Sequence, residues 1–123
     1  MNEQTQNAVF VYFNEEIAAC QQRQKELLAD NRADEATFMK IRANVFDIFK
    51  TVLSVAIRTV KSGSSAEIKD FFLGKTEQIP ANWKIAYAKA AEHGDVEKIH
   101  YESIKLEAIA EIRETFIKIW GDK

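Results

Sequence analysis

Apolar residues recur three and four positions apart along most of this chain, the spacing of one helical face rather than the alternation of a strand. From Glu3 to Ala29, Phe10, Phe13, Ile17, Cys20 and Leu27 follow that spacing, with Gln24 in the remaining slot. Val9–Phe13 is rich in strand formers. The 3-4 spacing continues past it to Leu27, so the whole segment is expected to be helix. Asp30-Asn31-Arg32 predicts a turn, with Asn31 suited to a left-handed conformation. A second helix is expected from Asp34, as its cap, to Lys61. It carries two adjacent stripes, Phe38, Ile41, Val45, Ile48, Val52, Val55 beside Phe46, Phe49, Leu53, Ala56, Val60. A helix apolar over so wide an arc needs neighbours on two sides, which makes this the central element.

Ser62-Gly63-Ser64 interrupts the pattern, and Ser64 with Glu67 forms a capping-box signature for a third helix over 65–73. Gly74 is expected to end that helix, and a short link over 75–79 leads to Pro80, which is tolerated in a first helical turn. The fourth helix presents Trp83, Ala86, Tyr87, Ala90 and Ala91. Gly94 stops it, and Asp95 caps a fifth helix that runs to Trp120 with Ile99, Leu106, Ile109, Phe116, Ile117 and Trp120 on its main face. Three long helices and two short ones sum to four columns of similar height joined by short turns, so successive columns run antiparallel. The expected fold is all-α: one domain over 1–123, an up-and-down four-column helix bundle whose third column is broken into two short helices.

Composition agrees with few, long elements. Only 4 Gly and 1 Pro are present in 123 residues, too few for the many tight turns of an all-β or α/β chain. With 46% hydrophobic residues the chain can build a core. Its 17 basic and 19 acidic residues nearly cancel and are spread evenly. No segment could follow a phosphate backbone, so nucleic acid is not an expected partner. The apolar runs Ala8–Phe13 and Thr51–Ile57 fall far short of the roughly 20 residues that a bilayer span needs. Residues 2–7 are polar and carry no positive charge, so no leader is read there. A lone Cys20 fits a reducing compartment, and a cytoplasmic protein is expected.

Candidate chemistry is sparse. Glu97 and His100 match Glu-x-x-His, the carboxylate–imidazole motif of di-iron bundles. That centre needs a second such motif and Glu on both other helices, which the sequence lacks. His93, Glu97 and His100 remain as weak candidates for a single-metal site, across the Gly94 turn, and no metal or cofactor is expected. Glu67/Asp70 and Glu111/Glu114 resemble the paired acidic motifs by which all-α nucleotide pyrophosphatases hold Mg²⁺. Their order is reversed and they sit on polar faces, which reads as solvated surface. Ala90–Glu97 resembles the helix–Gly turn–helix phrase of ankyrin repeats but does not recur at a period of 33, so it reads as a local turn solution. Cys20 lies on an apolar seam and reads as a small buried hydrophobe.

The expected function is a small non-catalytic interaction module that self-associates as a homodimer or larger assembly, with an unidentified protein partner as a further open role. The alternative is a small-molecule- or metal-dependent enzyme built in the bundle. The interface is expected on the fifth helix, where Tyr101, Ala108, Ile112 and Ile119 form a second apolar row within about 40° of arc, flanking the core stripe.

Overall fold

A computed structural model describes residues 3–121. Helices make up 89% of it, with no strand among the described residues. Five helices follow in order: α1 (Glu3–Ala29), α2 (Ala33–Thr59), α3 (Ser65–Gln78), α4 (Ala81–His93) and α5 (Val96–Trp120). They form the expected all-α bundle, with α3 and α4 joined as one bent helix so that four columns result. Val9–Phe13 is helical, and no described helix is long and apolar enough to cross a membrane.

The turns follow from local chemistry. Asn31 adopts φ 58° after α1, and Gly94 adopts φ 65° after α4. At each the chain closes the six-to-one and five-to-two hydrogen bonds of a Schellman cap: Arg32 and Asn31 donate to Leu27 and Leu28, while Asp95 and Gly94 donate to Ala90 and Ala91. Asp95 caps α5 by accepting from the Lys98 N–H. Ser64 caps α3 by accepting from the Glu67 N–H, while the Glu67 carboxylate turns to the Ser62 hydroxyl rather than closing the box. Asp34 is not the cap expected of it. α2 begins at Ala33, and Arg32, which holds the cap position, makes no side-chain cap bond. α2 also ends at Thr59, two residues before the expected Lys61.

The break in the third column lies elsewhere than the sequence suggests. α3 runs through Gly74 without interruption to Gln78, and the bend falls at the buried Pro80. A glycine only weakens a helix, by about 1 kcal/mol against alanine, and leaves the hydrogen-bond ladder whole. A proline removes one N–H and its ring clashes with the carbonyl four residues earlier.

α2 and α5 pack closely at the centre, with α1 against both on one side; on the other, α3 touches both and α4 lies along α5. The core is aromatic. Phe72 of α3 stacks on Phe116 of α5 at 4.2 Å between ring centroids, Phe116 on Trp120 at 5.1 Å, and Phe13 meets Phe46 edge-on at 6.3 Å. Val9, Leu53, Ile68 and Ile112 close the spaces between these rings.

Candidate functional site

Of the two apolar stripes on α2, one is covered and the other is not. Phe46, Phe49, Leu53 and Ala56 are fully buried. In the second stripe Val45 alone is buried, Phe38, Ile41, Val52 and Val55 are half-buried, and Ile48 is 39% exposed. The expectation that α2 has neighbours on two sides holds, since α1, α3 and α5 all pack against it, but the second stripe is only partly covered. The cause is the bend at Pro80: below it α3 sits against α2, whereas above it α4 follows α5 and meets α2 through Trp83, whose ring stands edge-on to Phe49 at 6.4 Å.

The result is a crease along α2. At its lower end a groove of about 290 Å³ opens between α2 and α3, with Val52, Val55, Phe71 and Ile79 as its apolar walls. Lys75 and Gln78 stand at its rim, the ammonium lying 5.6 Å from the Phe71 ring centroid and donating to the Gln78 side-chain carbonyl. One strip of α2 beside it is uncharged, with exposed Lys40, Asp47 and Arg58 along its edge. Thr37, Ile41, Asn44, Ile48, Val52, Val55 and Thr59 fall within about 80° of arc. The charged residues of that stretch, Lys40, Arg42, Asp47, Lys50 and Arg58, all fall outside it.

The polar clusters elsewhere hold helices together. Arg42 of α2 pairs with Glu16 of α1 and Glu111 of α5 and lies 4.8 Å from the Phe46 ring centroid, so one guanidinium joins three columns. Beside it, burial pushes the Cys20 thiol up against the opposing pull of Arg42, and burial pushes the Tyr12 phenol up despite its hydrogen bond with Thr115. Arg113 of α5 donates to the Leu73 carbonyl and the Thr76 hydroxyl of α3, and so ties α5 to the last turns of α3. These are interhelical ties rather than a reactive constellation.

The chain matches no family model, no curated protein and no solved structure. Its own geometry therefore carries the reading.

Of the residues singled out as metal ligands, Glu97 and His100 line one depression, and His93 stands apart from them. His100 stacks on Phe38 at 5.8 Å, and Glu97 accepts a 2.6 Å hydrogen bond from the Tyr101 hydroxyl, which raises that phenol's pKa. His93 lines a different depression with Lys89 and Lys98. Among the described residues no three metal-binding side chains stand together. The acidic pairs do not converge either: Glu67 serves the start of α3, while Glu111 engages Arg42 and Glu114 pairs with Lys118 at 3.3 Å.

The row on α5 is not a free face. Ala108 and Ile112 are fully buried within the chain, Ile119 packs against the core, and Tyr101 is half-covered, meeting Phe38 edge-on at 6.0 Å. Meanwhile Ile117, expected on the core face, is 43% exposed. The core face of α5 is rotated toward α2 relative to the sequence reading. Ala108 lies wholly inside the core, and the exposed large apolar side chains are spread over α1, α2, α4 and α5, Ile48 being the one on α2. For the α2 strip, the signal in the sequence is the absence of charge from one arc between Thr37 and Thr59, rather than a surplus of apolar residues.

Proposed function

We propose that this chain is a non-catalytic helical interaction module that docks a helix along the uncharged face of α2, beside the α3 groove. The observation that supports it is the exposed Ile48 flanked by half-buried Ile41, Val52 and Val55 on a face about six helical turns long without a charge. Contiguous apolar strips of that shape are how grooves receive amphipathic helices, whose anchors repeat every three or four residues. The remaining chemistry is engaged in the fold: Arg42, Arg113, Glu111 and His100 each serve a contact between helices. A buried, free thiol at Cys20 fits a cytoplasmic setting.

The reading is tested with Ile48→Glu and Val55→Glu combined, at sub-micromolar chain. The chain should stay folded, with about 0.5 kcal/mol or less lost at the exposed Ile48 and about 1–3 kcal/mol at the half-buried Val55. Binding of the apolar dye anilinonaphthalene sulfonate, expected for the parent, should largely disappear. An unfolded double variant would show that the strip belongs to the core and would end this reading.

A further inference from the structure

We propose that the depression between the first turns of α2 and α5 binds an alkylated ammonium group, held by Asp34 and Glu97 against the rings of Phe38 and Tyr101. None of these residues belongs to the uncharged strip of α2, so the proposal stands apart from the docking reading.

Both carboxylates lack a counter-charge. Asp34 lies in the first turn of α2, lines the depression, and neither caps its helix nor pairs with a cation among the described residues. Glu97 faces the same space from α5. One of its oxygens accepts from the Tyr101 hydroxyl at 2.6 Å, and the other has no partner among the described residues. Each carboxylate offsets the partial positive charge at the start of its own helix, about half a charge. Two full charges against two halves leave the depression with about one negative charge. The cations nearest in sequence are occupied elsewhere: Arg32 pairs with Glu35 and Asp30, and Lys98 lines the depression of His93. The Tyr101 phenol registers this field. Its pKa is raised, first by the hydrogen bond to Glu97, and further by the charges of Glu97 and Asp34.

The walls select the kind of cation. His100 stacks on the half-buried Phe38, and Tyr101 meets the same ring edge-on, so three rings stand together along one side. Val96, at 65%, is the most exposed large apolar side chain among the described residues, and it lines the same depression. A metal ion asks for more oxygen or nitrogen donors than these, and no three metal-binding side chains stand together there. An alkylated ammonium asks for few hydrogen bonds. Aromatic faces and apolar walls can replace its water while the carboxylates supply the opposite charge. The depression holds about 310 Å³, at the lower end of the roughly 300–1,000 Å³ of small-molecule sites, which suits a group the size of choline.

The test titrates the full chain with choline chloride, with ionic strength held constant by sodium chloride. Nuclear magnetic resonance signals from the Val96 methyls and the Phe38, His100 and Tyr101 rings should shift together and saturate. The neutral alcohol with carbon in place of choline's nitrogen should bind about tenfold more weakly or not at all. Asp34→Asn combined with Glu97→Gln should weaken choline about tenfold. Phe38→Leu should weaken it about two- to fivefold. Glu15→Gln combined with Glu107→Gln makes the same change of charge at exposed positions outside the depression, and should leave the affinity unchanged. Trimethyllysine blocked at both ends is titrated beside choline. Tighter binding of choline means a free ion and tighter binding of the blocked residue means a group carried on another chain, and either supports the site. Shifts that grow linearly without saturation overturn the proposal. So does a neutral alcohol that binds as tightly as choline, or a distant charge pair that weakens choline as much as the pair in the depression. Circular dichroism confirms that each variant is folded, and if the Asp34 and Glu97 pair unfolds, the neutral alcohol on the parent chain and Phe38→Leu decide the matter.

Discussion

The indole Nε1 of Trp120 donates a 3.1 Å hydrogen bond to the backbone carbonyl of Ser65, so the last turn of α5 is tied to the first residue of α3. Trp120 is fully buried and stacked on Phe116, which in turn stacks on Phe72. The tie and the ring column therefore act on the same joint. Trp120→Phe keeps most of the ring and loses the donor, and should cost about 1 kcal/mol. Trp120→Ala also opens a cavity, and should cost about 3–5 kcal/mol. Denaturant titrations of the two variants give the comparison, and equal losses would contradict it.

Arg42 is the joint of the other half. Its side chain is 23% exposed and engages carboxylates from two other helices. Arg42→Met keeps the contact with Phe46 but leaves Glu16 and Glu111 without their cation, and is expected to cost about 1–3 kcal/mol. Glu111→Gln should cost less, since the amide still accepts a hydrogen bond. A double-mutant cycle in unfolding free energy should show coupling, and strict additivity would mean the pairing contributes nothing.

The same cluster sets an alkaline limit. Burial raises the folded-state pKa of the Cys20 thiol and of the Tyr12 phenol. Each group then holds its proton more tightly in the folded chain than in the unfolded one. The associated stability is intact below the unfolded values, about 8.5 for Cys and 10 for Tyr, and is lost as pH rises through the folded ones. Unfolding free energy should decline from about pH 8.5 upward, and Cys20→Ala should remove the first part of the decline. A thiol reagent at pH 8 should label Cys20 only as fast as the chain opens.

The bend gives a pair of glycine tests with opposite signs. Gly74 lies inside α3 with open space around an added Cβ, so Gly74→Ala should stabilise by about 0.5–1 kcal/mol. Gly94 sits at φ +65°, where an added Cβ is strained, and Gly94→Ala should destabilise by about 1 kcal/mol. Lys75→Pro, which would be mild in a linker, should cost about 3 kcal/mol or more, because Lys75 lies within a continuous helix and the ring would clash with the carbonyl of Phe71. Thermal melts of the three decide each sign separately.

These contrasts show how far the sequence could be read. Helix type and order were legible because the 3-4 spacing persists through Phe10–Leu27 and Phe38–Val60, and because Asn31, Ser64, Gly94 and Asp95 perform the turn and cap chemistry their side chains allow. Gly74 and Pro80 were read together as one interruption, and only the covalent loss of an N–H separates a weak point from a real bend. The site was harder to place. A helix with two adjacent apolar stripes does not disclose which one its neighbours cover. On α5 the row of Ala108 and Ile112 went inward, and on α2 the row of Ile41 and Ile48 stayed half outside. That choice is made by where α4 leans beyond Pro80, a property of packing rather than of period.

Ile112 and Ile48 make that choice measurable. Both are isoleucines on long helices and both belong to rows that a sequence pattern treats alike. In the structure Ile112 is 0% exposed, among Phe116, Ala108 and the facing side chains of the core, whereas Ile48 is 39% exposed. A glutamate at Ile112 must either hold a charge out of water, at several kcal/mol, or remain protonated, and it also loses the packing of the isoleucine it replaces. Total stabilities of such domains are about 5–15 kcal/mol, so Ile112→Glu is expected to leave the chain largely unfolded. The gentler Ile112→Ala should cost about 2–5 kcal/mol through the cavity alone. Ile48→Ala, at the open face, should cost well under half as much when measured on dilute chain. Circular dichroism with urea titration separates the two rows, and a folded, more soluble Ile112→Glu would return the exposed face to α5.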